Sequence, residues 1–228
     1  MIFFLHYYDT SVIIMLERGE YVPKKTFLNL NRQKQERIIS SSISVFSAKP
    51  FDHVTVKDIV EAAQIPRGSF YQYFDDLVDL YLHLIEYAQR VKMVYVEPIL
   101  TRVGQEPFLN LYLELFEAGL TFAKAHFDLY QVGSHLFLSQ NPQLIKHMKA
   151  IEQQGIDALS YLLKKDQETG FIKTHIDVVM IAKILYHLNV RDLIYELYKG
   201  TPDQEIIQMV EKILIIIKYG AYKEDTNG

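Results

Sequence analysis

Apolar residues recur at intervals of three and four along most of the chain, the spacing that places side chains on one face of an α-helix. The first clear helix is Asn31 to Ala48, which Asn31 can cap and which Lys49-Pro50 ends. Further helices are predicted at about Asp75 to Val96, Glu106 to Ala125, Phe127 to Leu138, Pro142 to Thr169, Val178 to Lys199 and Pro202 to Tyr222. No segment alternates convincingly like a β-strand, so the pattern predicts an all-α fold.

Two short helices are predicted between the first and second of these long ones. One begins at Thr55, with Asp58 three residues later in the arrangement of a capping box, and ends near Gln64. The other runs from about Arg67 to Phe74 and follows Pro66, a residue tolerated at a helix start. Two short helices joined by a turn of about four residues form a helix-turn-helix.

The charge of the chain is unevenly distributed. Its 228 residues carry a formal net charge of −4. Residues 22–74 contain eight Lys or Arg and four Asp or Glu, so this stretch carries +4 and the remainder carries −8. A basic block on an acidic body is expected when one part of a protein meets phosphate and the other does not. A merely uneven surface is the alternative explanation.

Several other classes of site lack support. The chain has no cysteine, which excludes disulfides, thiolate zinc sites and a cysteine nucleophile, and which suits a reducing cytoplasm. Its eight histidines do not form pairs with ligand spacing, so no metal and no cofactor is predicted. No phosphate-cradling glycine loop or nucleophile elbow occurs, so no catalytic residue is predicted. No apolar run approaches ~18 residues, so no membrane span is expected.

The run TVKDIVEAAQIPRGSFYQYF, from Thr55 to Phe74, resembles the signature of repressors of the tetracycline-repressor (TetR) family. That signature is a Thr-started helix, an Ile-x-x-Ala-Ala core, a tight turn and a Gly-Ser/Thr-Phe/Leu-Tyr-x-Tyr/His-Phe segment. The similarity covers about 45 residues, from Arg32 to Leu77, and elsewhere extends only to the architecture of long helices. It implies an N-terminal three-helix DNA-binding domain, residues 22–77, and a helical ligand-binding and dimerisation domain, residues 78–228.

The second short helix carries residue types that suit DNA contact. Gly68 allows close approach of the backbone to DNA, and the helix N-terminus favours phosphate. Polar side chains there can bond base edges, and tyrosine hydroxyls suit phosphate oxygens. The predicted DNA-contacting residues, including an N-terminal arm, are Lys24, Lys25, Thr55, Lys57, Arg67, Gly68, Ser69, Tyr71, Gln72 and Tyr73. Core burial is the alternative for each of the two tyrosines, of which at least one is expected to face DNA.

Two positions depart from the family's pattern. Pro66 stands where many members carry Ser, Thr or Asn, which removes a side-chain cap from the reading helix. Leu77 stands where many members carry a Lys that grips phosphate. The expected consequence is weaker phosphate affinity, or compensation by Lys24, Lys25 and Arg32 of the N-terminal segment.

By the same resemblance, the acidic body is expected to bind a small-molecule inducer and to form a homodimer. Aromatic walls would suit a lipophilic or flat ligand, with plain core packing as the alternative. The candidate ligand-binding residues are Phe108, Tyr112, Phe116, Phe122, Tyr130, Phe137, Tyr161 and Tyr186. The candidate dimer residues on the last two helices are Leu185, Leu188, Ile194, Ile207, Val210, Leu214 and Ile217. The alternative for this stripe is that it faces its own core.

The sequence therefore favours a cytoplasmic, ligand-responsive transcriptional regulator, expected to be a repressor and not an enzyme. It would bind a palindromic double-stranded operator as a dimer, and a small inducer would release it. A helical small-molecule-binding protein or enzyme without specific DNA binding is the main alternative, and an activator or nucleoid-type DNA binder is another. The identities of inducer, operator and regulated genes are not predicted.

Residues 1–21 are expected to be a non-native or disordered extension, with translation starting at Val22 or at Met15. The segment that follows Val22 resembles the opening of several TetR-like repressors, and GTG, a valine codon, can serve as a bacterial start. Met1 to Met15 would also expose several large apolar side chains without a predicted partner. The alternative is that this segment docks on the body as an extra helix or a membrane-surface anchor.

Overall fold

The computed structural model describes residues 23–188 and 199–220. Within these ranges the chain is helical and has no β-strand, which confirms the predicted all-α fold. The helices are α1 (Lys25–Leu28), α2 (Arg32–Ala48), α3 (Val56–Ala62), α4 (Arg67–Tyr73), α5 (Leu77–Leu100), α6 (Phe108–Ala125), α7 (Phe127–His135), α8 (Pro142–Glu168), α9 (Val178–His187) and α10 (Asp203–Tyr219). The predicted extension at residues 1–21 lies outside the described ranges. No helix in the described part of the chain has the length and apolar character needed to cross a membrane.

Side-chain caps define several helix starts where the sequence predicts them. The Asn31 side chain accepts a hydrogen bond from the amide of Lys34 at 2.9 Å and begins α2. Thr55 and Asp58 form the predicted capping box of α3, with the Asp58 carboxylate 2.7 Å from the Thr55 amide nitrogen. Asp177 caps α9 by accepting from the second and third helical amides. These contacts satisfy amides that have no partner inside their own helix.

The end of α5 differs from the prediction. The sequence predicts that Pro98 stops this helix near Val96, whereas the helix continues to Leu100. Proline removes one backbone donor, so the carbonyl four residues earlier, at Val94, lacks its usual partner. Val94 is exposed, and water can therefore serve that carbonyl. The predicted stop of α8 is confirmed, because Gly170 adopts a φ of 84° immediately after the helix.

The described chain forms two compact units. The first comprises residues 23–95 and 121–151, and the second comprises residues 96–120, 152–188 and 199–220. The first unit contains the helix-turn-helix together with most of α5, the end of α6, α7 and the start of α8. A domain boundary after residue 77 remains a prediction.

Buried polar contacts join α2, α5 and α7 in the first unit. The Tyr81 hydroxyl of α5 donates to the carbonyl of Val132 at 2.6 Å. Nδ1 of His135, at the end of α7, donates to the carbonyl of Phe46 at the end of α2 over 2.8 Å. The helices that carry the helix-turn-helix therefore share one core with α5 and α7.

In the second unit, α6 is tied to α8 and α9. The Phe108 amide donates to the buried Asp166 carboxylate at 2.7 Å, and the Tyr112 hydroxyl donates to the carbonyl of Leu185 at 2.6 Å. Gly155 on α8 accommodates the ring of Tyr186, since a Cβ at that position would lie 2.5 Å from Cε2 of the ring. This unit is thus held by hydrogen bonds at its helix ends and by close ring packing.

Asp58 is expected to make the fold sensitive to acid. Hydrogen bonds from Thr55, assisted by Lys49, lower the pKa of Asp58 to about 2. This pKa lies below that of an Asp in the unfolded chain, which is about 3.9. The ionised carboxylate therefore stabilises the fold fully at pH values above about 3.9, and this stabilisation is lost as the pH falls toward 2. We expect Asp58→Asn to lower the midpoint of thermal unfolding at pH 6. Between pH 4 and pH 2, the midpoint of the variant should decline less than that of the parent. Asp128→Asn, at an exposed site, serves as the control. Identical acid profiles for the parent and Asp58→Asn would refute this role.

Candidate nucleic-acid interface

The turn between α3 and α4 determines where α4 begins. Gln64 has a φ of 53°, in the left-handed region that residues other than glycine rarely adopt. The amide of Ile65 donates to the carbonyl of Val60 at 3.0 Å and ends α3. Pro66 occupies the N-cap of α4, and its carbonyl accepts from the amide of Ser69 at 2.9 Å. As the sequence predicts, proline ends one segment and allows the next helix to begin.

The inner side of α4 rests on an aromatic cluster, defined here as Phe27, Phe70, Tyr73 and Phe74. All four side chains are buried, and the inward direction predicted for Phe70 and Phe74 is confirmed. The ring of Phe27 lies 5.1 Å from that of Phe74 and 6.0 Å from that of Tyr73, measured between centroids. Edge and tilted ring contacts of this kind add to the burial of apolar area. The cluster therefore holds the outer side of α4 away from the core.

That outer side presents polar and aromatic groups to solvent. Arg67, Gly68 and Gln72 are exposed, Ser69 is partly exposed, and Tyr71 is 46% exposed. The neighbouring helix α3 adds two more exposed predicted contacts, Thr55 and Lys57. The structure therefore brings the predicted residues of α3 and α4 together on one exposed face, although their contact with DNA remains a prediction.

Tyr73 was expected to be available to DNA, and the structure corrects this expectation. Its side chain is only 4% exposed and packs against Phe27 of α1. The ammonium of Lys34, on α2, lies 5.6 Å from the centroid of the Tyr73 ring and covers it from that side. Helix α1 covers Tyr73, whereas Tyr71 two residues earlier stays outside. Of the two tyrosines, only Tyr71 can meet DNA in this conformation.

Lys24 also has a different role from the predicted phosphate contact. Its ammonium lies 3.0 Å from the carbonyl oxygen of Tyr71, 3.4 Å from that of Phe74 and 2.7 Å from a carboxylate oxygen of Asp75. The last carbonyls of a helix have no partner within it and carry partial negative charge. Lys24 therefore caps the C-terminal end of α4. Lys25, by contrast, is exposed.

Two residues that support α4 were not anticipated from the sequence. The hydroxyl of Thr26 donates to the carbonyl of Gln72, and the backbone amide of Lys24 donates to the carbonyl of Tyr73 at 3.0 Å. Phe27 supplies the ring that covers the inner side of α4. The signal available in the sequence was Phe27, an aromatic residue in an N-terminal segment with several polar residues. It could have indicated that this segment packs against the rest of the domain.

The first turn of α5 has no basic side chain in this chain. Asp76 accepts from the amide of Asp79, and Asp79 accepts from the amide of Asp75, both at 2.9 Å, which together cap the helix. Leu77 is partly buried against the core of the first unit. Leu77 thus makes an apolar contact at this position, and the charged residues around it, Asp75, Asp76 and Asp79, are negative.

A comparison with protein families agrees with this arrangement. Residues 38–84 match the family described as bacterial regulatory proteins, tetR family. The matched residues include α3, the turn, α4 and the first part of α5, so the helix-turn-helix is the segment of this chain that is similar to that family.

Similar proteins extend over most of the chain. It is 22% identical over 191 residues to the uncharacterized HTH-type transcriptional regulator YfiR of Bacillus subtilis, covering 82% of this chain and 91% of that protein. A TetR family regulator from Chloroflexus aurantiacus superposes with a TM-score of 0.62 and 23% identity, covering 87% of this chain and 98% of that one. The regulator FadR of Bacillus subtilis, in complex with stearoyl-CoA, gives a TM-score of 0.65 and 16% identity, covering 82% and 99%. The two structures share the fold with this chain.

The aromatic residues considered for ligand binding divide between the two compact units. Phe122, Tyr130 and Phe137 belong to the first unit and the other five to the second. Four of the eight, Phe108, Tyr112, Phe116 and Phe122, are buried; Tyr130, Tyr161 and Tyr186 are partly buried and Phe137 is exposed. Neither unit contains the whole set, and a ligand-binding role for any of these residues remains a prediction.

The dimer residues proposed from the sequence need correction. Leu185, Leu188, Val210 and Leu214 are buried within their own protomer, so the stripe that they form faces its own core. Ile207 and Ile217 are partly buried, and Ile194 lies outside the described residues. The apolar side chains that these helices expose are others, namely Val179, Met180, Ile184, Ile215, Ile216 and Tyr219. Helical periodicity identified an apolar face, and the fold turned that face inward.

The two N-terminal lysines are expected to differ in how their removal affects DNA binding. Lys24→Met removes the C-terminal cap of α4, so we expect unfolding free energy to fall by about 0.5–1 kcal/mol and operator affinity to fall at every salt concentration. The slope of log affinity against log salt should stay unchanged, because Lys24 neutralises no phosphate. Lys25→Met should leave stability unchanged and reduce that slope by about 1. Fluorescence anisotropy over 50–300 mM salt provides the measurement, and a reduced slope for Lys24→Met would mean that this lysine contacts phosphate after all.

Proposed function

We propose that this protein is a cytoplasmic, ligand-responsive repressor that binds a palindromic operator as a homodimer and is released by a small lipophilic or aromatic inducer. The observation that carries the DNA-binding part is the outer side of α4, which presents Arg67, Ser69, Tyr71 and Gln72 above the buried aromatic cluster. Side chains of these types on a rigidly supported helix can read the major groove.

We assign the contacts according to position on the motif. Arg67, Gly68 and Ser69 lie in the first turn of α4, where free amides and the helix dipole favour phosphate. Tyr71 and Gln72 lie one turn further along and are proposed to meet phosphate and base edges respectively. Thr55 and Lys57 of α3, and Lys25 of the N-terminal segment, would contact the phosphate backbone of the DNA. Lys24 and Tyr73 are left out of this assignment.

A homodimer would place two copies of α4 on the same side of the DNA. Two reading helices that enter successive major grooves must be ~34 Å apart, and a two-fold axis between them requires a palindromic site. We propose that the second copy docks on the exposed apolar face of α9 and α10, defined by Val179, Met180, Ile184, Ile215 and Ile216. Large patches of apolar side chains left exposed on a folded protein mark interaction surfaces.

The proposed response to a ligand is supported by similarity of fold. One protein that shares the fold of this chain was solved in complex with stearoyl-CoA. An inducer that binds one conformation of the body more tightly shifts the population toward it and lowers the affinity for the operator. The half-buried Tyr161 and Tyr186, both in the second unit, are candidate wall residues that retain some accessibility.

The DNA-binding proposal is tested by selection from a random DNA library with the purified protein, which should yield a palindrome. Tyr71→Phe combined with Gln72→Ala should then weaken binding to the selected site by at least about 30-fold, since base and phosphate contacts of this kind contribute roughly 1–3 kcal/mol each. Circular dichroism should show unchanged helical content, because neither change touches the buried cluster. Gln143→Ala, on the exposed side of α8, is the control. Parent-like footprinting by the double variant would refute the assigned reading face.

The dimer proposal is tested with charge substitutions on the exposed apolar face. Ile184→Glu and Ile215→Glu should each convert the protein to a monomer at micromolar concentration in light scattering, because burial of apolar area at ~25 cal/mol/Å² would be replaced by burial of a charge. Val94→Glu, at another exposed apolar residue on α5, should remain dimeric. Each monomeric variant should bind single half-sites without the tight binding to the full palindrome. Dimers formed by both glutamate variants would show that a different surface pairs.

A further inference from the structure

Residues 24–30, named the clasp here, bond to the C-terminal end of α4. The backbone amide of Lys24 donates to the carbonyl of Tyr73 at 3.0 Å, and the hydroxyl of Thr26 donates to the carbonyl of Gln72. The last carbonyls of a helix have no partner within that helix. The clasp therefore supplies hydrogen bonds that α4 cannot make for itself.

The clasp is held in turn by the side chain of Gln35, on α2. Its amide donates to the carbonyl of Phe27 at 3.2 Å, to that of Leu28 at 3.0 Å and to that of Leu30 at 3.0 Å. The two amide hydrogens are thus shared among three carbonyls. Because α1 is only four residues long, these carbonyls lie at a helix end and need acceptor contacts from elsewhere. One side chain therefore fastens the end of the clasp to α2.

Little apolar packing holds the clasp apart from these polar contacts. The only buried side chain of α1 is Phe27. Leu28 is 50% exposed, Lys25 and Asn29 are exposed, and Leu30 is partly buried. Segments with few buried apolar contacts open locally at a lower free energy than the core does. The clasp is therefore expected to open while the rest of the domain stays folded.

Opening of the clasp would act directly on α4. It would withdraw the ring of Phe27, whose centroid lies 5.1 Å from that of Phe74 and 6.0 Å from that of Tyr73. It would also leave the last carbonyls of α4 without their partners. The part of α4 that loses this support carries Tyr71 and Gln72, the two residues assigned above to phosphate and base edges.

We propose that Gln35 is a positioning residue for operator reading, because its amide closes the clasp and the closed clasp holds the end of α4 in the conformation that reads DNA. This inference rests on the proposed DNA-binding function and adds to it a residue that acts through the clasp. When only one fraction of a protein is competent to bind, its apparent affinity is reduced by that fraction. Operator affinity should therefore follow the population of the closed clasp.

Hydrogen exchange of the clasp amides measures how often the clasp opens. The amides of Asn29 and Leu30 donate to the carbonyls of Lys25 and Phe27 at 2.9 and 3.0 Å, and they exchange when these bonds break. Gln35→Glu keeps the shape of the side chain, but its carboxylate has no donor and repels the carbonyls. In the full chain without DNA, exchange of these two amides should become at least about 10-fold faster, as expected when the hydrogen bonds of one side chain are lost.

A second substitution acts on the opposite end of the clasp. Thr26→Val keeps the branched side chain and removes the hydroxyl that donates to the carbonyl of Gln72. With both changes the clasp should be mostly open, so operator affinity measured by fluorescence anisotropy should fall at least about 10-fold. Amides of α5 should exchange as they do in the parent, which would show that the domain is still folded.

Two control variants separate this effect from added charge and from lost stability. Gln33→Glu places the same charge at an exposed site on α2, should leave clasp exchange unchanged, and gives the effect of charge alone on operator affinity. Asn141→Ala removes the cap of α8, where the Asn141 side chain accepts from the amide of Gln143 at 2.9 Å. It should lower the midpoint of thermal unfolding without changing clasp exchange or operator affinity.

Three results would overturn the inference. The first is parental exchange of the clasp amides in Gln35→Glu, and the second is parental operator affinity in the double variant although its clasp is open. The third is a loss of affinity of the same size in either control variant. If the parent selects no operator from random DNA, the proposed function is rejected, and the exchange rates still decide whether Gln35 closes the clasp.

Discussion

Packing of the aromatic cluster against α4 is the interaction on which the proposed DNA-facing surface depends. A helix of seven residues is too short to persist in water by itself. Its few hydrogen bonds do not offset the conformational entropy that is lost when the first turn forms. Phe70 and Phe74 anchor α4 to the core formed by α2, α3 and α5, and Phe27 closes the remaining side. Burial of three large rings and Tyr73 therefore holds in place the exposed side of α4, which we propose reads DNA.

The ends of α4 are stabilised in unequal ways. Its N-terminus follows Pro66, which offers no side-chain cap, so the amides of Arg67 and Gly68 stay available to an acceptor such as phosphate. Its C-terminus is occupied by Lys24 and Thr26 from the N-terminal segment. The positive end of α4 is thus left open, and the partial negative charge at its other end is compensated. The N-terminal segment thus acts as part of the DNA-binding fold.

In the second unit, two charged groups are compensated in different ways. Asp166 loses hydration on burial, which raises its pKa, but the amide of Phe108 compensates its charge. Arg102 donates hydrogen bonds to the carboxylates of Glu106 and Glu114, and its bonds to Glu114 lower the pKa of that carboxyl. Both charges are therefore compensated by groups of the same unit.

The sequence alone determined the features that arise from neighbouring residues. Helical periodicity, the capping box of Thr55 and Asp58, and the turn before Pro66 each depend on a few consecutive positions, and so could be read directly. Only the tertiary structure decided which of Tyr71 and Tyr73 is covered, because the covering ring of Phe27 lies more than 40 residues away in the chain. The same holds for the stripe through Val210, whose periodicity fixes an apolar face but not what packs against that face. Long-range packing leaves no periodic trace in the local sequence, and for that reason it appears only in the folded molecule.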